Sequence, residues 1–150
     1  MKKTLLILFS CLLATMMISC SINDPNDDQS KAGEFTGKYV VTSDGEMTFS
    51  RENAKFEVAI NEAAKTLDIK MFQMKFDDNM PVTLNILAKD LPFQSYEDEV
   101  IVEKDKVIPT VGGIPMQAFT LENLKIIAGE YKLYVSFKCK GSVMEYNGNK

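Results

Sequence analysis

Carboxylates are the abundant reactive side chains of this 150-residue chain, which contains no His. The densest acidic group is Glu97-Asp98-Glu99, followed by Glu103 and Asp105. Oxygen ligands of this kind suit Ca²⁺, but their spacing matches no EF-hand loop. A solvated acidic edge, which discourages strands from pairing with other molecules, accounts for the same residues. The pattern favours the acidic edge, and we predict no metal site.

Cys139 is the other candidate for chemistry. A cysteine nucleophile needs a cation or a His that stabilises its thiolate. The absence of His excludes Ser-His and Cys-His activation and every His-based metal site. In the alternating segment near the C-terminus, Cys139 shares the parity of Val135 and Phe137, which predicts a buried structural thiol. We therefore predict that the protein is not an enzyme and uses no cofactor.

Charge and length narrow the class of protein further. Lys and Arg total 17, Asp and Glu total 21, and the formal net charge is −4. A protein that neutralises phosphates needs clustered cations, whereas the lysines here are scattered, so no nucleic-acid partner is expected. A chain of this length with 45% hydrophobic residues fits one globular domain.

Residues 1–19 have the pattern of a secretory signal peptide, with Lys2 and Lys3 before an apolar run from Leu5 to Ile18. The run is shorter than the ~20 residues that a spanning helix needs. The following Ser19-Cys20 resembles a bacterial lipobox, in which the Cys is lipidated and becomes the mature N-terminus. The resemblance implies lipid attachment at Cys20 and an outer-membrane-anchored protein of the cell envelope, with the leaflet left open. A plain secretory signal with an incidental Cys20 is the alternative.

Residues 20–32 are predicted to form a flexible tether, because Ile22 and Ala32 are their only apolar side chains. Asp24, Asp27 and Asp28 resemble the acidic stretch that follows the lipidated Cys of surface-exposed Bacteroidetes lipoproteins. A solvated linker explains these aspartates equally well. With the signal removed and Cys20 acylated, Cys139 is the remaining thiol, so packing rather than a disulfide must hold the domain together.

Most of the chain after the tether predicts β-strands. The clearest signal is a ten-residue alternation of apolar and polar side chains, typical of a strand with one dry face. Its apolar members are Tyr131, Leu133, Val135, Phe137 and Cys139. Turns are predicted at Asp44-Gly45, Asp77-Asp78-Asn79, Lys104-Asp105 and Gly112-Gly113, and a break between strands at Glu122-Asn123.

Residues 52–66 fit two structures. Phe56, Ile60 and Leu67 fit a helical stripe, whereas the β-branched ends of the segment favour two strands joined by a turn at 61–66, which we prefer. The following strand changes phase, from Leu67-Ile69-Met71 to Phe72-Met74-Phe76, and such a change requires a bulge or a bend.

The total of eight to ten short strands predicts an all-β sandwich or a closed antiparallel barrel. The order of elements resembles the calycin-like (lipocalin-like) lipoproteins of Bacteroidetes over residues 33–147. The residues that carry the resemblance are Gly37-Lys38-Tyr39, Phe56-Glu57-Val58, Leu67-Asp68-Ile69, Phe72, Phe76, Met80-Pro81-Val82, the run Pro109 to Pro115, and Phe119 to Leu124. The family is largely uncharacterised, so the resemblance implies an antiparallel β-barrel and an envelope location more than an activity.

Two functions remain open at this point. An envelope-anchored binding module would hold a small apolar or amphipathic ligand inside the barrel, since barrels of about eight strands leave room for one. Its candidate cavity residues are Met71, Met116, Tyr131 and Phe137. A surface accessory or inhibitor-like domain would instead bind a protein or glycan partner through its loops. In both cases the only membrane contact is the N-terminal lipid.

Overall fold

A computed structural model describes residues 28–150, which form an all-β fold with two short 3₁₀ turns, Asp28–Lys31 and Gln117–Phe119. The strands are β1 (Gly33–Ser43), β2 (Glu46–Asn61), β3 (Thr66–Met74), β4 (Leu84–Pro92), β5 (Gln94–Tyr96), β6 (Glu99–Val107), β7 (Thr110–Val111), β8 (Ile114–Pro115), β9 (Leu121–Ala128), β10 (Lys132–Cys139) and β11 (Ser142–Asn149). No helix in this part of the chain is long and apolar enough to cross a membrane.

All eleven strands belong to one antiparallel sheet, in the order β5-β6-β9-β10-β11-β1-β2-β3-β4-β7-β8. The sheet curls until β4 approaches β6, with Cα atoms within 8 Å. Two short strands cross this seam. β5 continues from β4 and pairs with β6, whereas β7 follows β6 and pairs with β4. The result is a barrel-like wall with a partly paired seam.

The strand registers place the connections at two ends of this wall. We call one end the base; it carries the first 3₁₀ turn, the turns at 62–65, 97–98 and 129–131, and the last strand's end at Asn149. We call the other end the mouth; it carries the turns at 44–45 and 140–141, the loop at 75–83 and the segment 108–120. The chain therefore enters the domain at the base.

Inward side chains fill the enclosed space with a continuous apolar core. At its centre the rings of Phe56 and Tyr146 stack with centroids 3.8 Å apart, and the Tyr146 hydroxyl donates a hydrogen bond to the Ala54 carbonyl. Tyr39 is also fully buried, and its hydroxyl accepts a hydrogen bond from the Lys75 amide. Both phenols thus have partners for their polar ends, as burial requires.

The strand interpretation of residues 52–66 is confirmed, because β2 runs to Asn61 and β3 begins at Thr66. The phase change in β3 is also confirmed as a bulge. Gln73 has a φ of 52°, and the β3–β4 register shifts between Met71 and Met74. Phe72 remains on the outer face, so the change occurs one residue later than the apolar pattern indicates.

Two predicted interruptions are wrong. β6 continues through Lys104-Asp105 to Val107, and β9 continues through Glu122-Asn123. Lys104 and Asp105 are exposed within the continuous strand, and the charges beside them pair across to β9, Glu103 with Lys125 and Lys106 with Glu122. Asn123, with a φ of 51°, forms a bulge rather than a break. Residues 28–150 contain eleven strands rather than the expected eight to ten; three of them, β5, β7 and β8, are only two or three residues long.

The first 3₁₀ turn, Asp28–Lys31, is formed by residues that lie at the end of the predicted tether 20–32. Asp28 and Lys31 are buried at the base, and Lys31 Nζ lies 2.8 Å from Asp28 Oδ1. The Ser95 hydroxyl donates to Asp28 Oδ2 at 2.6 Å, and Lys150 Nζ donates to the Ser30 carbonyl. This pairing permits burial of polar residues that composition assigns to solvent. The predicted signal peptide, Cys20 and tether residues 20–27 lie outside the described residues.

Candidate functional site

The mouth holds a pocket of about 340 Å³ between three connections of the sheet. Its lining residues are Phe76, Asp77, Asn79, Met80, Phe119, Lys140 and Ser142. They come from the loop between β3 and β4, the second 3₁₀ turn, and the turn between β10 and β11. The volume lies at the small end of the range of ligand sites in proteins, about 300–1,000 Å³.

Aromatic side chains form the inner part of this pocket. Phe76 is almost fully buried, and its ring centroid lies 5.9 Å from that of Phe119 and 6.2 Å from that of Phe137. Met80 is partly buried against the same core. Phe137 supports Phe76 from behind without lining the pocket itself. The pocket is therefore an extension of the core to the surface, with an apolar floor.

Local turn chemistry positions the polar groups of the pocket. Asp77 Oδ1 accepts a hydrogen bond from the Asn79 amide at 2.7 Å, and the Asp77 carbonyl accepts one from the Met80 amide. This is the turn that Asp and Asn favour. At the opposite wall, Lys140 and Gly141 have φ values of 51° and 83°, as a tight hairpin turn requires.

The charges of the pocket have no ion-pair partners. Lys140 Nζ lies 4.4 Å from the centroid of the Phe119 ring, in cation–π contact. Within residues 28–150, neither Lys140 nor Asp77 is within 4 Å of an oppositely charged group, including one another. Both groups are thus free to contact a bound molecule.

Large exposed apolar side chains surround this end of the domain. Met47, Val82, Ile108, Ile114 and Val143 all lie on or beside the connections of the mouth and are 43–66% exposed. We call these five residues the apolar rim. Tyr96 and Tyr131, the other large exposed apolar side chains of the described chain, lie at the base.

A second depression, of about 250 Å³, lies on the outer wall between β2 and β3. Several of its polar groups are already engaged within the protein. Arg51 donates two hydrogen bonds to Gln73, and the Asn85 side chain accepts one from the Gln73 amide. Lys55 and Lys70 cover the half-buried Phe72 ring at 5.2 and 4.9 Å from its centroid. With its donors and its aromatic face occupied, this depression is a weaker ligand site than the mouth pocket.

The four predicted cavity residues do not meet in one place. Met71 and Phe137 are buried in the core, whereas Met116 is half-buried before the second 3₁₀ turn. Tyr131 is 66% exposed at the base, because β10 begins one residue later. Cys20, the predicted lipid attachment site, lies outside the described residues.

The acidic segment contains no arrangement suited to a cation. Glu97, Asp98 and Glu99 are exposed at the turn between β5 and β6, and Glu103 pairs with Lys125. Across the described residues no group of three or more Cys, Asp or Glu side chains is placed to hold a metal ion.

Cys139 is a buried free thiol on the inner face of β10, as its parity predicts. Burial raises its pKa to about 11, which disfavours the thiolate. We expect the thiol to resist iodoacetamide at pH 8 in the folded protein and to react in denaturant. Mass spectrometry of the two samples measures this difference. Equal modification in both samples would contradict the buried position.

Comparison with known proteins leaves family membership open, since no family model, curated protein or solved structure matches the chain. The fold and the mouth pocket are therefore the basis for a functional conclusion. They define a curled antiparallel β-sheet domain with one apolar-floored pocket at the end opposite the chain's entry.

Proposed function

We propose that this protein is an envelope-anchored, non-enzymatic binding module that holds a small amphipathic ligand in the mouth pocket. The proposal rests on one observation: a single pocket combines an aromatic floor, formed by Phe76 and Phe119, with the Lys140 cation, which has no ion-pair partner. The apolar part of a ligand would cover the rings, and its polar part would reach Lys140 and the hydroxyl of Ser142. Few placed polar groups in an apolar concavity are typical of ligand sites.

The anchor in this proposal is a lipid on Cys20. Eight peptide units separate Cys20 from Asp28, so they span at most about 28 Å. Because Asp28 lies at the base, such an anchor attaches the domain at the end opposite the mouth. Intact-mass analysis of protein extracted from host membranes tests the anchor, and an unacylated chain that still carries residues 1–19 would contradict it.

The pocket proposal predicts the effect of removing one ring of its floor. Phe119→Ala is expected to weaken binding of the fluorescent anionic amphiphile 1-anilinonaphthalene-8-sulfonate about tenfold, because the lost ring contact corresponds to a burial free energy of roughly 1.5 kcal/mol. Titration followed by probe fluorescence measures the dissociation constant.

The matched control is Phe72→Ala, which removes a ring of the same size from the outer-wall depression. This variant is expected to keep the affinity of the unsubstituted protein. If the Phe72 variant loses the probe and the Phe119 variant does not, the binding site lies on the outer wall and the proposal fails.

A second candidate function is the binding of a protein partner at the mouth, which the apolar rim favours. Exposed apolar groups concentrated at one end of a domain are typical of interaction sites. A photoreactive side chain at Val143, compared with one at Tyr96 at the base, tests this candidate in cells. Cross-linked protein adducts found equally with both labels would remove it.

A further inference from the structure

The mouth pocket places two opposite charges above one apolar floor and pairs neither of them. Asp77 and Lys140 both line the pocket, from the loop between β3 and β4 and from the turn between β10 and β11. They remain more than 4 Å from one another, and no other described residue forms an ion pair with either. Elsewhere on this surface opposite charges at close quarters do pair, as Lys38 does with Glu52.

Each of the two charges has a local contact that leaves part of its hydrogen-bonding capacity unused. The Asp77 carboxylate is fixed by the Asn79 amide, which leaves its second oxygen available as an acceptor. The Lys140 ammonium is held over the Phe119 ring, and an ammonium has three donors of which a ring face satisfies at most one. The two charges therefore line the pocket as an acceptor and a donor.

We infer that the ligand of the mouth pocket is a zwitterionic amphiphile, whose cationic group contacts Asp77 and whose anionic group contacts Lys140. This inference rests on the proposed ligand-binding function and adds the charge class of the ligand. A purely anionic amphiphile can pair with Lys140 but is repelled by the Asp77 carboxylate. A purely cationic amphiphile can pair with Asp77 but is repelled by the Lys140 ammonium. A molecule with both charges next to one apolar chain pairs with both charged groups of the pocket and covers its rings.

Three ten-carbon probes separate these possibilities: 2-aminodecanoic acid, decanoic acid and decylamine. Isothermal titration at pH 7, below the micellar concentration of each, gives their affinities for the chain without residues 1–19 and with Cys20 replaced by Ser. The amino acid is expected to bind about fivefold more tightly than either singly charged probe, the effect typical of one exposed charge pair.

Charge-removing variants assign that preference to the two residues. Asp77→Asn should abolish the advantage of the amino acid over decanoic acid, and Lys140→Gln should abolish its advantage over decylamine. Asp44→Asn, which removes a carboxylate from another turn of the mouth, should leave both advantages intact.

The possible failures are distinct. If decanoic acid binds the unsubstituted protein as tightly as the amino acid does, or Asp77→Asn leaves the advantage unchanged, the zwitterion inference is overturned and the proposed function stands. If none of the three probes binds, the proposed function fails as well.

Discussion

Replacing Gly37 with Ala is expected to destabilise the protein by on the order of 3 kcal/mol, one of the largest effects of any single methyl group added to this fold. In the sheet Gly37 lies opposite Gly148, where β1 pairs with β11. A Cβ atom at position 37 would collide with the Asn147 carbonyl oxygen and with the Cα atom of Gly148. Because both are backbone atoms of a paired strand, the collision cannot be relieved by rotating a side chain.

The measurement is the urea concentration at the midpoint of unfolding, followed by circular dichroism. Gly129→Ala is the matched control, since the nearest atom to a Cβ there is the Lys132 carbonyl oxygen at 3.7 Å. This control should change the free energy of unfolding by less than about 0.5 kcal/mol. If the two variants unfold at the same urea concentration, the close pairing of β1 with β11 at this point is incorrect.

Asp28→Ala is expected to destabilise the protein by about 3 kcal/mol, because it leaves the Lys31 ammonium buried without its partner. The double variant Asp28→Ala/Lys31→Met should recover most of this loss, since it removes both charges from the base. Lys65→Met is the control. Its ammonium lies 3.5 Å from Asp28 but is largely exposed, so we expect only a small change. A double variant as unstable as Asp28→Ala would contradict a buried pair.

The same ion pair makes the stability of the protein depend on pH in the acid range. Burial raises the pKa of Asp28. The hydrogen bonds from Lys31 and Ser95, together with the charges of Lys31 and Lys65, lower this pKa by more than burial raises it, so the net pKa is below the usual 3.8. A carboxyl with a depressed folded-state pKa stabilises the fold above its unfolded pKa of about 4 and loses that contribution as the pH falls through the folded value. Between pH 5 and pH 2 the double variant should therefore lose less stability than the unsubstituted protein.

The regular parts of the sheet could be predicted from alternation. Leu133, Val135, Phe137 and Cys139 all point into the core, as a period of two requires. The turns at Asp44-Gly45 and Gly112-Gly113 were equally predictable, because a left-handed φ at both central positions favours these residues. Lys104-Asp105 inside β6 was misleading, because pairing with β9, a strand distant in sequence, keeps this segment extended.

The mouth pocket could not be predicted in the same way. Phe76, Phe119 and Lys140 lie in three connections, and nothing local in the sequence says that those connections meet. Tyr131 has the parity of the inward side chains, so alternation predicts an inward position for it. The strand begins only at Lys132, which alternation does not reveal, and Tyr131 is exposed. The burial of Asp28 depends on Ser95, which is 67 residues away. The composition of residues 28–32 predicts a solvated linker and contains no signal for such a long-range partner.

We propose that a small amphiphile binds at the mouth of this β-domain. An NMR titration with 1-anilinonaphthalene-8-sulfonate tests this binding site, because the backbone amide signals of each connection of the sheet are observed separately. We expect the shifts to be concentrated at residues 76–80, 119 and 140–142, with the base turns at 62–65 and 97–98 unchanged. Shifts confined to the outer wall around Phe72, or no saturable shift at any residue, would contradict the proposal.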